Sequence, residues 1–368
     1  MKILVVQDHL RSGGTERQSV LLTGAFAAAG HDTTLLTFRP SGALQPTIAP
    51  AVRQVALQRA DYRLDWFAPG LRRVTAQLAP EVILCMGRIA NCYAGSLQRA
   101  LPASVVIATM RTGKPLPWLF RTSLRLVRHV VANSHEASAT LTARYGVPAA
   151  RISVIHNSLV FPPLLSGTER AATHDALRQR HGATSNTVVL LNVAMFRPEK
   201  NQRELVEIVA GLPAGFDVQL WLAGDGPARP ACEALVRDRQ LAHRVRFVGF
   251  HRDPSALYAA ADIAVHASWS ESLSNFLIEA QAQGLPAVAY QAQGVTECFV
   301  PGRTGWAIAR DQRDAFRAQV LALAQAAPSE RAALADVAQT FARATFDPTR
   351  QVEKYLAVFS ALRATPRG

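Results

Sequence analysis

Short apolar, β-branched runs recur along this chain with room for one helix between successive runs, and this alternation restrains its fold more than any other feature. In the first half the strand-like runs are Lys2–Val6, Thr33–Thr37, Val82–Cys85, Val105–Thr109, Val130–Ala132 and Ser153–Ile155. The pattern starts again at Val188–Val193 and continues through Val218–Ala223, Val245–Val248, Ile263–His266 and Ala287–Ala289. Strands separated by helices pair in parallel, and a parallel sheet needs helices on both faces. The class expected is therefore α/β.

A chain of 368 residues suffices for two domains, each with its own core. The stretch "NSLVFPPLLSGTERAATHDALRQRHGATSN" is rich enough in Pro, Ser and Gly to hold a linker. Two Rossmann-like domains facing across a cleft are expected, 1–165 and 166–345, followed by a helical segment 346–368. In that segment Val352, Tyr355, Leu356 and Phe359 fall at helical spacing.

No stretch approaches the roughly 18 continuous apolar residues of a membrane span. The opening "MKILVVQ" runs straight into a strand pattern without the long apolar core and cleavage site of a signal peptide. The expected location is cytoplasmic, with peripheral attachment to the inner face of the membrane left open. Cys85, Cys92, Cys232 and Cys298 show no C-x2-C spacing, which points to free thiols rather than disulfides or zinc. Of the net charge of +13, +11 falls in Met1–Leu165, with 18 Lys and Arg against 7 Asp and Glu. A basic half attracts phosphates, whether in lipid headgroups, a lipid-diphosphate acceptor or nucleic acid.

The first strand is followed by "QDHLRSGGTERQSVLL", which lacks the G-x-G-x-x-G of a dinucleotide site and argues against a dehydrogenase. Gly13 and Gly14 instead make a turn before a helix opening near Thr15. Further on, "SESLSNFLIEAQAQGLPAVA" sets Glu271 and Glu279 with seven residues between them. Glu271 is expected in a loop, Ser274 at the N-cap, and Glu279 inside the helix about 7–8 Å beyond the cap at roughly 1.5 Å per residue. The free N–H groups at Leu273, Ser274 and Asn275 would favour a phosphate. By spacing alone, a loop acid and a solvated helix acid also account for the pair. Arg197 and Lys200 stand in "NVAMFRPEKNQREL" before another helix, and Gly224 and Gly226 in "LAGDGPARP" after a strand, where a plain β-to-α turn is equally compatible.

Together these motifs resemble the retaining glycosyltransferases of family 4, which have the GT-B fold. The family's E-x7-E and "EAMAxGxPVV" are matched by Glu271, Glu279 and "EAQAQGLPAV", its "GGxE" loop by "GGTE", and its "VxFxGxxxxxxxxYxxADxxVxPS" by "VRFVGFHRDPSALYAAADIAVHAS". The resemblance implies that Glu271 contacts the donor hexose and Glu279 the nucleotide ribose. It also implies that the Gly14 loop and the Gly224 and Gly226 loop lie beside the donor, that the Gly249–Arg252 loop flanks the base, and that the last helix crosses back to the first domain. The family commonly has "GRLxxxKG" where this chain has Met195 in place of the arginine. Lys200 keeps the lysine, and Arg197 stands in for the arginine. With no Asp-x-Asp in the chain, Arg197 and Lys200 are expected to stabilise the leaving diphosphate without a metal. Most members have Gly where Ser272 stands.

Family members often have a His near the position of Arg111. The acceptor side is expected to differ here, with Arg88, Arg111 and Lys114 holding an acceptor phosphate. His156 reads as a packed or hinge residue. Leu116–His129 combines Trp118 and Phe120 with Arg121, Arg125 and Arg128, a pattern suited both to a solvated helix and to an anionic membrane surface. The expected function is retaining transfer of a hexose or N-acetylhexosamine from a nucleotide-diphosphate sugar to a sugar or lipid-linked acceptor, with no cofactor beyond that donor. The alternatives are a nucleotide-sugar epimerase on the same fold and a basic nucleic-acid-binding protein, the latter suggested by charge alone.

Overall fold

The structure, a computed structural model, describes residues 1–364. The chain forms two compact units, one made of Met1–Ser158 with the stretch from Phe346 onward, the other of Leu159–Thr345.

Unit 1 is built on seven strands, β1 (Lys2–Gln7), β2 (Asp32–Thr37), β3 (Arg53–Ala56), β4 (Val82–Cys85), β5 (Val105–Met110), β6 (His129–Ala132) and β7 (Ile152–Val154). They lie in the order β3-β2-β1-β4-β5-β6-β7 and every pair is parallel. Val5 sits opposite Leu35 on one side and Leu84 on the other. Because side chains alternate across a strand, the apolar runs feed two cores. Ile3, Val5, Leu84 and Ile107 face a cluster with Phe26, Tyr355 and Phe359. Leu4, Val6, Ile83 and Val106 face another with Phe120 and Leu124. The helices used below are α1 (Gly14–Ala28), α2 (Leu71–Leu78), α3 (Ala90–Ala100) and α4 (Trp118–Leu126). The last helix, Pro348–Ala364, presents Tyr355 and Phe359 edge-on to Phe26 of α1, with ring centroids 6.1 and 5.5 Å away.

Unit 2 has six parallel strands, β8 (Val188–Val193), β9 (Val218–Ala223), β10 (Val245–Gly249), β11 (Ile263–His266), β12 (Ala287–Tyr290) and β13 (Gly305–Ile308), in the order β10-β9-β8-β11-β12-β13. Both sheets reverse direction of winding once, between β1 and β4 in unit 1 and between β8 and β11 in unit 2. At such a point adjacent strands send their connections to opposite faces, which leaves a crevice at the strands' C-terminal ends where ligands bind. No described helix is long and apolar enough to cross a membrane. The four cysteines are free thiols.

Candidate active site

The crevice of unit 2 is flanked by the loops leaving β8 and β11, and these loops carry Lys200 and Glu271. After β8 the backbone makes a 3-10 turn, Pro198–Lys200, with proline at its start. After β11 the chain turns back so that Ser268 Oγ and the Trp269 N–H both donate to the Glu199 carbonyl, at 2.9 and 3.1 Å. Asn192 Nδ2 donates to the Val265 carbonyl at 2.8 Å and locks the two strand ends. This lacing brings Lys200 Nζ to 2.5 Å from Glu271 Oε1.

Glu271 is buried, and His266 Nε2, also buried at the end of β11, lies 3.1 Å from the same Oε1. Burial by itself would raise the Glu271 carboxyl. The Lys200 charge and the His266 hydrogen bond outweigh it and hold the group at about 2. Such a carboxylate stays ionised at neutral pH and is a weak base. It is suited to accept hydrogen bonds from hydroxyl groups and unsuited to move protons.

The acidic loop is braced from behind. Gly294 has φ +72°, and a Cβ there would come within 1.9 Å of the Ser272 carbonyl oxygen, so only glycine lets this turn press on the loop. Ser274 caps the following helix, Asn275–Ala282, through Oγ to the Leu277 N–H, and its own N–H donates to Cys298 Sγ at 3.3 Å. Leu273 is buried and Asn275 half-buried at that helix start. Glu279, inside the helix, accepts from Tyr258 Oη at 2.7 Å, and Tyr258 is stacked on Phe276 with centroids 6.3 Å apart. Tyr258 falls on the tyrosine of the matched "VxFxGxxxxxxxxYxxADxxVxPS" pattern but was given no role there, and His266 falls on a variable position of it. A histidine ending a strand and a tyrosine in a short helix both read as core until the partner carboxylates are seen.

The remaining expected site residues are placed as follows. Arg197, just before the 3-10 turn, is exposed and is not drawn into the Lys200–Glu271 pair. Gly224 and Gly226 have φ +133° and +148°, and a Cβ on either would strike the backbone of Ala194 or Phe196 at 2.0 or 2.5 Å. Their missing side chains let the β9 loop lie against the β8 loop. Arg252 is exposed in the loop after β10. In unit 1, Gly14 is the first residue of α1. Arg88 Nη2 donates to the Pro115 carbonyl at 2.7 Å, beside Lys114. Arg111 is turned inward: Nη1 donates to Asn157 Oδ1 at 2.7 Å and Nη2 to Tyr355 Oη at 2.6 Å, tying β5 to the last helix. His156 packs edge-on against Phe346 at 5.6 Å. Of the two aromatic residues named in Leu116–His129, Trp118 is exposed and Phe120 is buried in the core, because α4 turns that face onto α3 and leaves Leu119 outside.

Two parallel Rossmann-like sheets, the second with an ion-paired carboxylate at its switch point, define a protein of the GT-B class. Residues 12–159 match the family described as "Glycosyltransferase Family 4", and residues 187–326 match "Glycosyl transferases group 1". The chain belongs to family 4 of the glycosyltransferases. It is 34% identical over 140 residues to lipopolysaccharide core biosynthesis glycosyltransferase LpsE of Rhizobium meliloti (strain 1021), covering 38% of this chain and 40% of that protein. To alpha-D-kanosaminyltransferase of Streptomyces kanamyceticus it is 28% identical over 191 residues, 51% of this chain and 49% of that one. These matches thus span less than half the length of either relative. Among solved structures, HepE of Anabaena in complex with UDP-glucose superposes with a TM-score of 0.81 at 21% identity, covering 98% of this chain and 100% of that chain. A glycosyltransferase from Rickettsia africae ESF-5 gives 0.83 at 17%, covering 99% of each. At these identities the likeness establishes the fold.

Proposed function

We propose that this protein is a retaining glycosyltransferase that moves a hexose or N-acetylhexosamine from a nucleotide-diphosphate sugar to a sugar or lipid-linked acceptor in bacterial glycan or glycolipid assembly. The observation that carries this reading is the Lys200–Glu271–His266 constellation at the switch point of unit 2, immediately before the helix that bears Glu279. Similarity to enzymes named for lipopolysaccharide core biosynthesis and kanosaminyl transfer supports the reaction class, and similarity to a fold that holds UDP-glucose supports the donor class.

In this reading Glu271 accepts hydrogen bonds from donor hexose hydroxyls and Glu279 from the ribose. The donor diphosphate meets the helix N-terminus at Leu273, Ser274 and Asn275. The bond between the anomeric carbon and the diphosphate oxygen breaks with its electron pair on that oxygen, and Lys200 and Arg197 supply positive charge there. The acceptor oxygen attacks from the same face and gives its proton to the departing phosphate, so no side-chain base is needed. Gly224, Gly226 and Arg252 complete the donor surroundings in unit 2. Arg88 and Lys114 hold an acceptor phosphate, and Arg111 sets the last helix behind them. A lipid-linked acceptor would bring the basic unit to an anionic membrane on the cytoplasmic side.

The test is product analysis with UDP-, GDP- and ADP-sugars, with and without a bacterial lipid extract as acceptor. Acceptor-dependent release of nucleoside diphosphate is expected. An epimerised nucleotide sugar formed without acceptor would replace transfer with epimerisation, and turnover of none of the donors would remove the assignment.

A further inference from the structure

The loop between β3 and α2 displays an unusual set of side chains. Tyr62, Trp66, Leu64 and Phe67 are all exposed, Tyr62 by 52% and Trp66 by 61%. Large apolar groups clustered in water mark an interaction site. The loop is also held rigidly. Arg39 donates to both oxygens of Asp61 at 2.7 and 2.8 Å and to Asp65 at 2.7 Å, while Arg11 donates to the other oxygen of Asp65 at 2.5 Å. Gln58 Nε2 donates to the carbonyls of Leu64 and Phe67 at 2.8 and 2.7 Å. Tyr93 Oη donates to the Trp66 carbonyl.

These bonds settle the charge of the surface. Asp61 and Asp65 are the loop's only acids, and both are consumed by Arg39 and Arg11. Arg59, Arg63, Arg72 and Arg73 are exposed and form no ion pair among the described residues. Arg72 and Arg73 lie in the first turn of α2, which follows the N-cap Gly70 and has neither a side-chain cap nor an acid in that turn. Cations at a helix N-terminus oppose the macrodipole, so positive potential is concentrated there without internal compensation.

A second apolar tip stands at the start of α4, where Trp118 is 72% and Leu119 52% exposed. Both tips hang on consecutive residues of α3: Tyr93 holds the Trp66 carbonyl, and the Cys92 carbonyl accepts from Ser123 Oγ of α4 at 3.0 Å. Arg121 and Arg125 are exposed along α4.

We infer that this face of unit 1 docks on the surface of an anionic lipid bilayer, with Tyr62, Leu64, Trp66, Phe67, Trp118 and Leu119 at the headgroup boundary. The flanking arginines meet lipid phosphates. A glycan platform would pair its aromatic rings with polar groups free to bond hydroxyls. Here the loop's acids are occupied, two of the exposed groups are aliphatic, and the uncompensated charge is cationic. Trp, Tyr and Arg beside aliphatic side chains is the composition of a membrane interface.

The inference goes beyond the proposed transfer reaction and is tested without it, by co-sedimentation of the full chain with phosphatidylcholine vesicles containing or lacking phosphatidylglycerol. Binding is expected only with phosphatidylglycerol and should weaken as salt rises. Each Arg→Ser change at Arg63, Arg72 or Arg73 should weaken it about fivefold. The W66S/W118S pair should abolish binding and the accompanying blue shift of tryptophan emission. Thermal stabilisation by nucleotide sugars should be unchanged in these variants, which separates loss of docking from loss of the fold or the donor site. Equal binding to both vesicle types, or wild-type binding by the variants, would overturn the inference. So would tryptophan quenching by soluble oligosaccharide without vesicle binding, which would make the face a glycan site.

Discussion

Glu271 keeps its charge where water cannot solvate it because Lys200 and His266 converge on one of its oxygens. The Lys200→Ala variant leaves that charge buried with one partner, which should cost about 3–5 kcal/mol of stability in urea unfolding. In the proposed reaction it should also lower kcat about 10²–10³-fold. Removing both charges in K200A/E271A should cost less than the sum of the single changes, with about 1–3 kcal/mol of coupling. The pH dependence has a definite sign. The folded-state value of about 2 lies below the ordinary 4.5, so the ionised form favours folding. That contribution is complete above about pH 4.5 and is lost as pH falls toward 2. Melting temperatures of the wild type and Glu271→Gln should therefore converge across that window, and a constant difference would contradict the pairing.

At the scale of elements, the acidic loop depends on a backbone approach that tolerates no side chain. Gly294→Ala places a Cβ within 1.9 Å of the Ser272 carbonyl at φ +72°, whereas Gly302→Ala, at φ +70°, meets nothing within 4 Å. Both changes carry the left-handed backbone cost of about 1–2 kcal/mol. Only Gly294→Ala should also displace Glu271 and remove stabilisation by nucleotide sugars, as differential scanning calorimetry would show. The interior strands were legible in the sequence because burial on both faces demands unbroken apolar runs such as "VILC" and "VVIAT". Two of the four edge strands, Arg53–Ala56 and Gly305–Ile308, were not: both are partly buried, and "RQVA" has no apolar pattern of its own; pairing with β2 creates the strand. Lys200 and Glu271 were legible as motif residues, but their direct contact was not. It is made by hydrogen bonds from Ser268 Oγ and the Trp269 N–H to the Glu199 carbonyl across a long sequence separation. Which of the apolar groups of α4 would be covered was not legible either, because helical spacing alone does not say which side α3 will cover: Phe120 is buried and Leu119 exposed.

At the scale of the molecule, each unit has its own core, and the last helix belongs to that of unit 1 through Tyr355 and Phe359. Phe359→Ala should destabilise unit 1 by about 3–5 kcal/mol and leave unit 2 unaffected, so that one broad melting transition separates into two. The basic charge and the lipid-facing tips reside in unit 1, and the ion-paired carboxylate in unit 2. In the proposed reaction unit 2 takes the donor and unit 1 the acceptor. The proposed reaction requires unit 2 to bind a nucleotide-diphosphate sugar through Glu271 and Glu279. The most direct measurement is the thermal shift of wild type and Glu279→Ala with UDP-, GDP- and ADP-sugars, because a ligand of the folded state stabilises it by RT ln(1 + [L]/Kd). At least one donor should raise the melting temperature of the wild type, and Glu279→Ala should lose most of that shift. No shift with any donor, or an undiminished shift in the variant, would contradict that binding.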